Sequence, residues 1–257
     1  MTEVSVITAL YNSADFIAAA IASVQAQTLQ DWEMIIVDDC STDDSCAIVQ
    51  RLADADSRIK LIRLPQNGGA AVARNTAIRA AQGRYIAFLD SDDSWFPNKL
   101  DRQIEFMKAN QYPFVFSAYE RVDEAGAKLS PVHVPARVSY RQLLKTNVIG
   151  CFVAIYDSRY FGKVEMPLIR KRQDFGLWLC LLKKVDYAYA IQEPLGTYRV
   201  RNESVSSNKL DASSYNWQLY RHIEKLPLLA SLYYFAHYAV RGVLRRHCPR
   251  LARLLGA

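Results

Sequence analysis

Apolar and polar positions alternate along the first hundred residues in two rhythms. Val4-Ser5-Val6-Ile7-Thr8, Trp32-Glu33-Met34-Ile35-Ile36-Val37, Ile59-Lys60-Leu61-Ile62-Arg63-Leu64 and Tyr85-Ile86-Ala87-Phe88-Leu89 are short β-branched, aliphatic or aromatic runs of strand length. Between them the period changes. Ile17, Ile21 and Val24 recur at helical spacing behind Ser13 or Asp15, and Cys46, Val49 and Leu52 do so behind Ser41 or Thr42. An Ala-rich stretch over 70–81 follows the Asn67-Gly68-Gly69 turn and stops before Gly83. Strands alternating with helices at this spacing predict a parallel sheet, and such sheets bind ligands beyond the carboxyl ends of their strands.

After Pro97 the pattern predicts a helix to about residue 109, a strand over 114–119 and a turn at Asp123-Glu124-Ala125-Gly126. Residues 130–150 show too little periodicity for an assignment. A strand is expected over 151–156, and short strands over 187–190 and 196–198. The basic run Arg170-Lys171-Arg172-Gln173 leads into Asp174 and the amphipathic segment that follows it, with Leu177, Trp178 and Leu181 on one helical face. Residues 202–208 read as a polar, Ser-rich loop, and the chain contains no internal repeat.

The chemistry concentrates where the fourth run ends. Tyr85-Ile86-Ala87-Phe88-Leu89 passes without a polar residue into Asp90-Ser91-Asp92-Asp93. Clustered carboxylates repel one another and resist burial, so such a group calls for a cation that relieves it. Hard carboxylate oxygens suit Mg2+ or Mn2+. The competing reading is that Asp92, Asp93 and Ser94 cap a helix starting near Trp95. Asp39 and Tyr11 close the second and first strands at the same predicted edge, and three placements at one edge favour a ligand site over capping alone.

Composition narrows the class. A chain of 257 residues that is 51% hydrophobic can bury a large core as one main domain with a small appendage. Its five cysteines are scattered, with no C-x-x-C pair and no histidine at metal-ligand spacing, as expected of buried thiols in a reducing cytosol. No basic segment followed by an apolar one opens the chain, so a secretory signal is not expected. The net charge of +6 falls entirely on residues 215–257, where Glu224 is the one acid. A neutral body with a basic tail argues against a nucleic-acid partner, which would draw basic and aromatic residues across a whole face.

Several motifs in this order resemble the inverting glycosyltransferases of the GT-A fold, in the large family 2 group. They are Val4-Ser5-Val6-Ile7 through Tyr11-Asn12, Ile36-Val37-Asp38-Asp39-Cys40-Ser41-Thr42-Asp43, Asn67-Gly68-Gly69 with Ala73-Arg74-Asn75, Gly83 through Asp93, and Gln173-Asp174-Phe175-Gly176-Leu177-Trp178-Leu179. The resemblance covers roughly residues 3–208. It implies an α/β GT-A fold: a Rossmann-like nucleotide-binding half whose mostly parallel central sheet is flanked by helices, here followed by a helical, basic amphipathic tail. The implied limits are 1–210 for the transferase domain, with 1–96 nucleotide-binding and 97–210 acceptor-binding, and 211–257 for the tail.

Carried over by position, the resemblance implies that Tyr11, Asn12 and Asp39 contact the nucleotide, that Asp90-Ser91-Asp92 is the D-x-D element and that Asp92 is the direct metal ligand. Asp90 would reach the ribose or the metal's water shell, with Asp93 beside it. Packing of the Tyr11 ring and capping of the next helix by Asp39 stand as their alternatives. Arg74 would face the diphosphate, or else lie solvated on its helix. Asp174 would be the general base, and plain N-capping is its alternative. The family commonly has Glu-Asp where this chain has Gln173-Asp174, which removes the preceding carboxylate from any role. The expected cofactor is Mn2+ or Mg2+, the donor a nucleotide-sugar such as a UDP-sugar, and the acceptor a glycan or lipid-linked hydroxyl.

Two other functions compete. A sugar-phosphate nucleotidyltransferase would carry a Gly-rich, basic loop after the first strand, where this chain has Ala9-Leu10-Tyr11-Asn12-Ser13. A non-catalytic partner subunit that only binds nucleotide-sugar would have no use for Asp174. Residues 226–240 are apolar but shorter than the ~20 needed to span a bilayer. From Val240 onward, Val240, Val243, Leu244, Leu251, Leu254 and Leu255 share one face and Arg241, Arg245, Arg246, Arg250 and Arg253 the other, with a kink at Pro249. That pattern predicts a peripheral contact with anionic lipid, in a cytoplasmic protein meeting the inner membrane's cytoplasmic face, or packing on the core or a second subunit.

Overall fold

A computed structural model describes residues 2–200 and 209–247. In chain order the elements are β1 (Val4–Leu10), α1 (Ala14–Gln25), β2 (Trp32–Asp38), α2 (Ser45–Ala55), β3 (Ile59–Arg63), α3 (Ala70–Ala80), β4 (Tyr85–Phe88), β5 (Ser94–Trp95), α4 (Lys99–Asn110) and β6 (Phe114–Val122). They continue with β7 (Arg137–Val138), α5 (Tyr140–Lys145), a 3-10 turn (Cys151–Val153), β8 (Ile155–Asp157), α6 (Ser158–Phe161), α7 (Gln173–Leu182) and β9 (Ala188–Arg199). Then come α8 (Lys209–Gln218), a π-helical turn (Leu219–Ile223) and α9 (Leu228–His247).

Among the described residues one sheet runs in the order β3-β2-β1-β4-β8-β6-β9-β5, with β7 on β9. β3, β2, β1 and β4 are parallel, β8 is antiparallel to its neighbours β4 and β6, and β9 lies parallel to β6. The parallel half follows from the sequence because β2 and β4 are buried at every position and β1 at all but one. Strands covered on both faces read as unbroken apolar runs. Two cores flank the sheet. One packs Ile17, Ile21, Val24 and Ile104 of α1 and α4 against it; the other packs Ala73, Ala77 and Ile78 of α3 and Leu177, Trp178 and Leu181 of α7.

Four expectations are corrected. The stretch 151–156 is a 3-10 turn followed by a three-residue strand. The two short strands near 187–198 are one strand, β9, whose register against β6 shifts between Ser117 and Ala118, where Pro194 pairs. Proline lacks the amide that a ladder needs, which broke the pattern in two. Trp95 lies in β5 and α4 begins at Lys99 behind Asn98, so Asp92 and Asp93 cap no helix there. Residues 130–150 contain β7 and α5, the latter opened by a reciprocal cap in which Ser139 accepts from the Gln142 amide and Gln142 accepts from the Ser139 amide.

The C-terminal elements pack on the second half of the sheet's helical layer. Leu219 and Tyr220 are buried in the α7-side core, and the Tyr220 hydroxyl donates to the Leu144 carbonyl at 2.6 Å. Lys183 pairs with Glu224 at 2.8 Å, and the Tyr140 hydroxyl donates to the same carboxylate. α9 joins the apolar stretch and the first basic residues into one helix, while the expected kink at Pro249, the Ser-rich loop 202–208 and Cys248 lie outside the described residues. Cys151 is buried; Cys40, Cys46 and Cys180 are half-buried, and these four are free thiols.

Candidate active site

The carboxyl ends of β1, β2 and β4 carry three loops stitched to one another. Asn12, at φ 45°, accepts from the Thr42 amide through its side-chain oxygen at 2.8 Å, and its own amide donates to Ser41 Oγ at 3.1 Å. The Ser13 amide donates to Ser45 Oγ at 2.7 Å, and Ser13 Oγ lies 2.9 Å from Ser91 Oγ. Asn12 therefore shapes the first loop. Tyr11, beside it, is 52% exposed, which removes the alternative of a packed aromatic.

Asp39 is 3% exposed and binds both oxygens to the next loop. The Gly68 amide donates to Oδ1 at 2.7 Å and the Gly69 amide to Oδ2 at 2.8 Å. Gly69 has φ 85°, a conformation that favours glycine, and it opens α3. Asp39 thus sits at the N-terminus of α3 rather than capping α2, whose N-cap residue is Asp44.

α3 positions two consecutive side chains. Asn75 accepts from the Met166 amide at 2.7 Å and donates to the Met166 carbonyl at 2.9 Å, which pins the loop before α7. Arg74 donates to Asp90 Oδ1 at 2.5 Å, with its side chain 11% exposed. It is not solvated on the helix surface. Burial works against the Arg74 charge, but Cys151, Asp90 and Asp174 offset it, so the guanidinium is held above its ordinary value.

Asp174 is the second residue of α7. The helix is fixed from behind by Trp178, whose ring lies 5.4 Å from Phe88 and 5.3 Å from Phe114, centroid to centroid. It is fixed in front at Gly176, where an added Cβ would come within 2.4 Å of Pro167. Burial pushes the Asp174 carboxyl above its usual range; Arg74, the Phe175 amide and Arg172 pull it down, and Asp90 pushes it up. Burial therefore outweighs the preference of a helix N-terminus for an ionised acid. The residue before α7, Arg172, has φ 67° and makes no side-chain cap, so Asp174 is not the N-cap.

The three acids after β4 divide their roles. Asp90 is paired with Arg74. Asp93 is 2% exposed and accepts from the Arg199 amide at 2.9 Å through Oδ1, while its buried Oδ2 has no partner among the described residues. Burial, then Asp90 and Asp92, push its carboxyl well above the usual range. Asp92 is half-buried between them, and Arg199 Nε donates to its carbonyl at 3.2 Å.

The family model described as "Glycosyl transferase family 2" matches residues 5–163. The chain is also 45% identical over 244 residues to "Putative teichuronic acid biosynthesis glycosyltransferase TuaG" of Bacillus subtilis, covering 95% of this chain and 97% of the relative. The chain belongs to glycosyl transferase family 2. "UDP-Glc:alpha-D-GlcNAc-diphosphoundecaprenol beta-1,3-glucosyltransferase WfgD" of Escherichia coli is 37% identical over 241 residues, 93% of each chain. Among solved structures, S. aureus TarS 1-349 in complex with UDP-GlcNAc superposes with a TM-score of 0.74 at 20% identity, covering 92% of this chain and 71% of that one, and so shares the GT-A fold.

In this family 2 chain the acids after β4 fit a hard divalent cation by donor type: Asp92 is central, and Asp93 Oδ2 is an orphaned buried oxygen. Among the described residues no three such side chains already converge in metal-binding geometry. Two residues escaped the sequence reading. Arg199 closes the end of β9 onto the Asp92-Asp93 turn and also donates to the Asp123 and Glu124 carbonyls, at 3.3 and 2.9 Å. Cys151 lies within the electrostatic reach of Arg74, Asp90 and Asp174, and burial pushes its thiol well up, which keeps it protonated and unreactive. Neither carries a motif that sequence could flag.

Proposed function

We propose that the chain is an inverting glycosyltransferase that moves a sugar from a nucleotide-sugar, most simply a UDP-sugar, to a hydroxyl of a glycan or lipid-linked acceptor in cell-envelope polysaccharide synthesis. The observation that carries this reading is Arg74, which pairs with Asp90 while its charge also acts on the half-buried Asp174. It couples the D-x-D turn to a carboxylate of raised proton affinity, as a donor site facing a base requires. The names of TuaG and WfgD support the substrate classes.

In this reading Tyr11, Asn12 and Asp39 form the nucleotide end, residues 1–96 the donor half, 97–210 the acceptor half and 211–257 the tail. Asp174 takes the acceptor proton as the new bond to the anomeric carbon forms and the bond to the diphosphate breaks on the opposite face. One displacement inverts the anomeric centre, so an α-linked donor yields a β-linked product. Asp92, with Asp90 and Asp93 beside it, would hold Mn2+ or Mg2+, which supplies counter-charge to the leaving diphosphate. The enzyme would work at the cytoplasmic face of the membrane, where a lipid-linked acceptor is reached.

The test is a donor screen that follows release of nucleoside diphosphate, run with and without chelator. Release that needs Mn2+ or Mg2+, is abolished in Asp92→Asn and is only weakened in Asp93→Asn is the expected result. Full activity in excess chelator would remove the metal assignment, and retained anomeric configuration by NMR would remove the single displacement.

A further inference from the structure

Between Leu228 and His247, α9 contains no acidic residue, and its two faces differ. Inward, Ser231 is buried, Tyr234 and Phe235 pack partly against the α7-side core, and the Tyr238 hydroxyl accepts from Arg172 Nη2 at 3.2 Å. Outward, Leu229 is 81% exposed, Leu232 and Tyr233 are each 50% and Val240 is 57%. Ala236 and Ala239 are exposed as well. Counted from Leu229, these positions recur with helical period and form one apolar face with no charge on it. Single exposed leucines are ordinary, whereas a contiguous apolar face rimmed by polar groups marks an interaction surface.

The rim indicates the partner. Lys145 Nζ lies 5.6 Å from the centre of the Tyr233 ring, Lys225 is exposed just before the helix, and Arg241 follows Val240. Arg172 joins the helix to the basic segment Arg170-Lys171-Arg172, in which Arg170 is exposed. The nearby acid, Glu224, is already engaged by Lys183 and Tyr140, and its side chain is 2% exposed. A second copy of this surface would bring like charge against like charge across a two-fold contact. An anionic bilayer meets the apolar face with acyl chains and the cationic rim with phosphates. Among the described residues no helix is long and apolar enough to cross a membrane, so the contact is one of lying on the surface.

We propose that the outward face of α9, centred on Leu229, Leu232, Tyr233 and Val240, is the membrane-docking face of the enzyme. This differs from the surface foreseen in the sequence, which began at Val240 and ran into the tail. Through Tyr238 and Arg172 the docked helix touches the residue that precedes α7, so membrane seating sets the height of Asp174 above the bilayer. The proposal rests on the reading that the acceptor is lipid-linked.

The test uses the full chain, vesicles of phosphatidylcholine alone or with phosphatidylglycerol, and the variant Leu229→Glu/Leu232→Glu. Both positions are at least half exposed, and the variant's fold is checked by circular dichroism and by UDP binding in calorimetry. Expected are co-sedimentation of the wild type with the anionic vesicles only, and a loss of about tenfold or more in the variant with UDP binding unchanged. Wild type that stays in the supernatant, or a variant that sediments equally, overturns the proposal. So does binding that the variant keeps but deletion of residues 248–257 abolishes, or a dimer in sedimentation velocity that the variant dissolves. Vesicle binding without UDP binding would remove UDP as the donor nucleotide and leave the docking face standing; UDP binding without vesicle binding removes only the face.

Discussion

Two ends of one sheet treat buried carboxylates in opposite ways. At the amino ends of the strands, Glu33 is 3% exposed and both its oxygens are engaged: Ser5 Oγ and the Gln82 amide donate to Oε1 at 2.5 and 2.6 Å, and Lys60 donates to Oε2 at 2.7 Å. Burial pushes this carboxyl up, but Lys60, Ser5 and Gln82 together hold it below its ordinary value. At the carboxyl ends, Asp93 keeps an oxygen without a partner among the described residues, and Asp93 and Asp174 are both pushed up. An acid held as Glu33 is by three donors, one of them a cation, is scaffold, whereas Asp39 at the other end takes only one glycine amide on each oxygen and keeps acceptor capacity for a nucleotide. An unsaturated acid holds capacity for a proton or a cation, and its cost in stability is the mark of a site.

The largest effect that tests this contrast is on catalysis. Asp174→Asn is expected to lower transfer by about 10²–10⁴-fold while nucleotide binding persists, because the amide cannot take the acceptor's proton. Asp174 makes no N-cap bond, so the substitution leaves the helix intact, and equal melting temperatures in the two proteins check this. The raised proton affinity of Asp174 gives kcat/KM an acidic limb above the usual carboxylate range, with activity rising as pH increases through it. Near-normal turnover in Asp174→Asn would make the acid another Glu33.

Next comes the link between the acids. Arg74→Met removes the cation that Asp90 and Asp174 share, and with the side chain only 11% exposed solvent screens little of the loss. We expect destabilisation of about 2–3 kcal/mol in urea unfolding. Without the Arg74 charge, which pulls its affinity down, the Asp174 limb should also move to higher pH. A variant that loses stability with an unmoved limb would confine Arg74 to structure.

The parallel half of the sheet was legible in the sequence because β1, β2 and β4 are covered on both faces and the loops that follow them carry short motifs. The strand pattern put Tyr11, Asp39 and Asp90 to Asp93 at one carboxyl edge, and the structure has them at the carboxyl ends of β1, β2 and β4. Arg74 and Asp174 came to the site through the family resemblance alone, because nothing in an Ala-rich helix reports that Arg74 turns toward Asp90. Arg199 answers residues more than 100 positions earlier, at Asp92 and Asp93, a pairing that no local window contains. The Ser139–Gln142 cap, in contrast, lay in plain view as a serine three residues before a glutamine, ahead of an apolar pair. Glu33 itself broke the apolar rhythm of β2 without betraying whether it was site or scaffold; only its three donors decide that.

The smallest effect is on Glu33, and it separates the two ends by pH. Glu33→Gln keeps an oxygen for Ser5 and Gln82 but turns an amide toward Lys60, whose side chain is 44% exposed, so solvent screening limits the loss to about 1–2 kcal/mol. Because the folded-state affinity of Glu33 for a proton is lowered, its contribution is complete above the unfolded value near 4.5 and disappears as pH falls through the lower folded value. The gap between wild type and Glu33→Gln in urea midpoint should therefore be full at pH 7 and close below pH 4.5, with kcat/KM and its acidic limb unchanged. A gap that persists at low pH would mean the carboxylate's charge is not what the three donors stabilise. A shifted kcat/KM limb would mean that the two ends of the sheet are coupled, and that the division between saturated scaffold and unsaturated site does not hold.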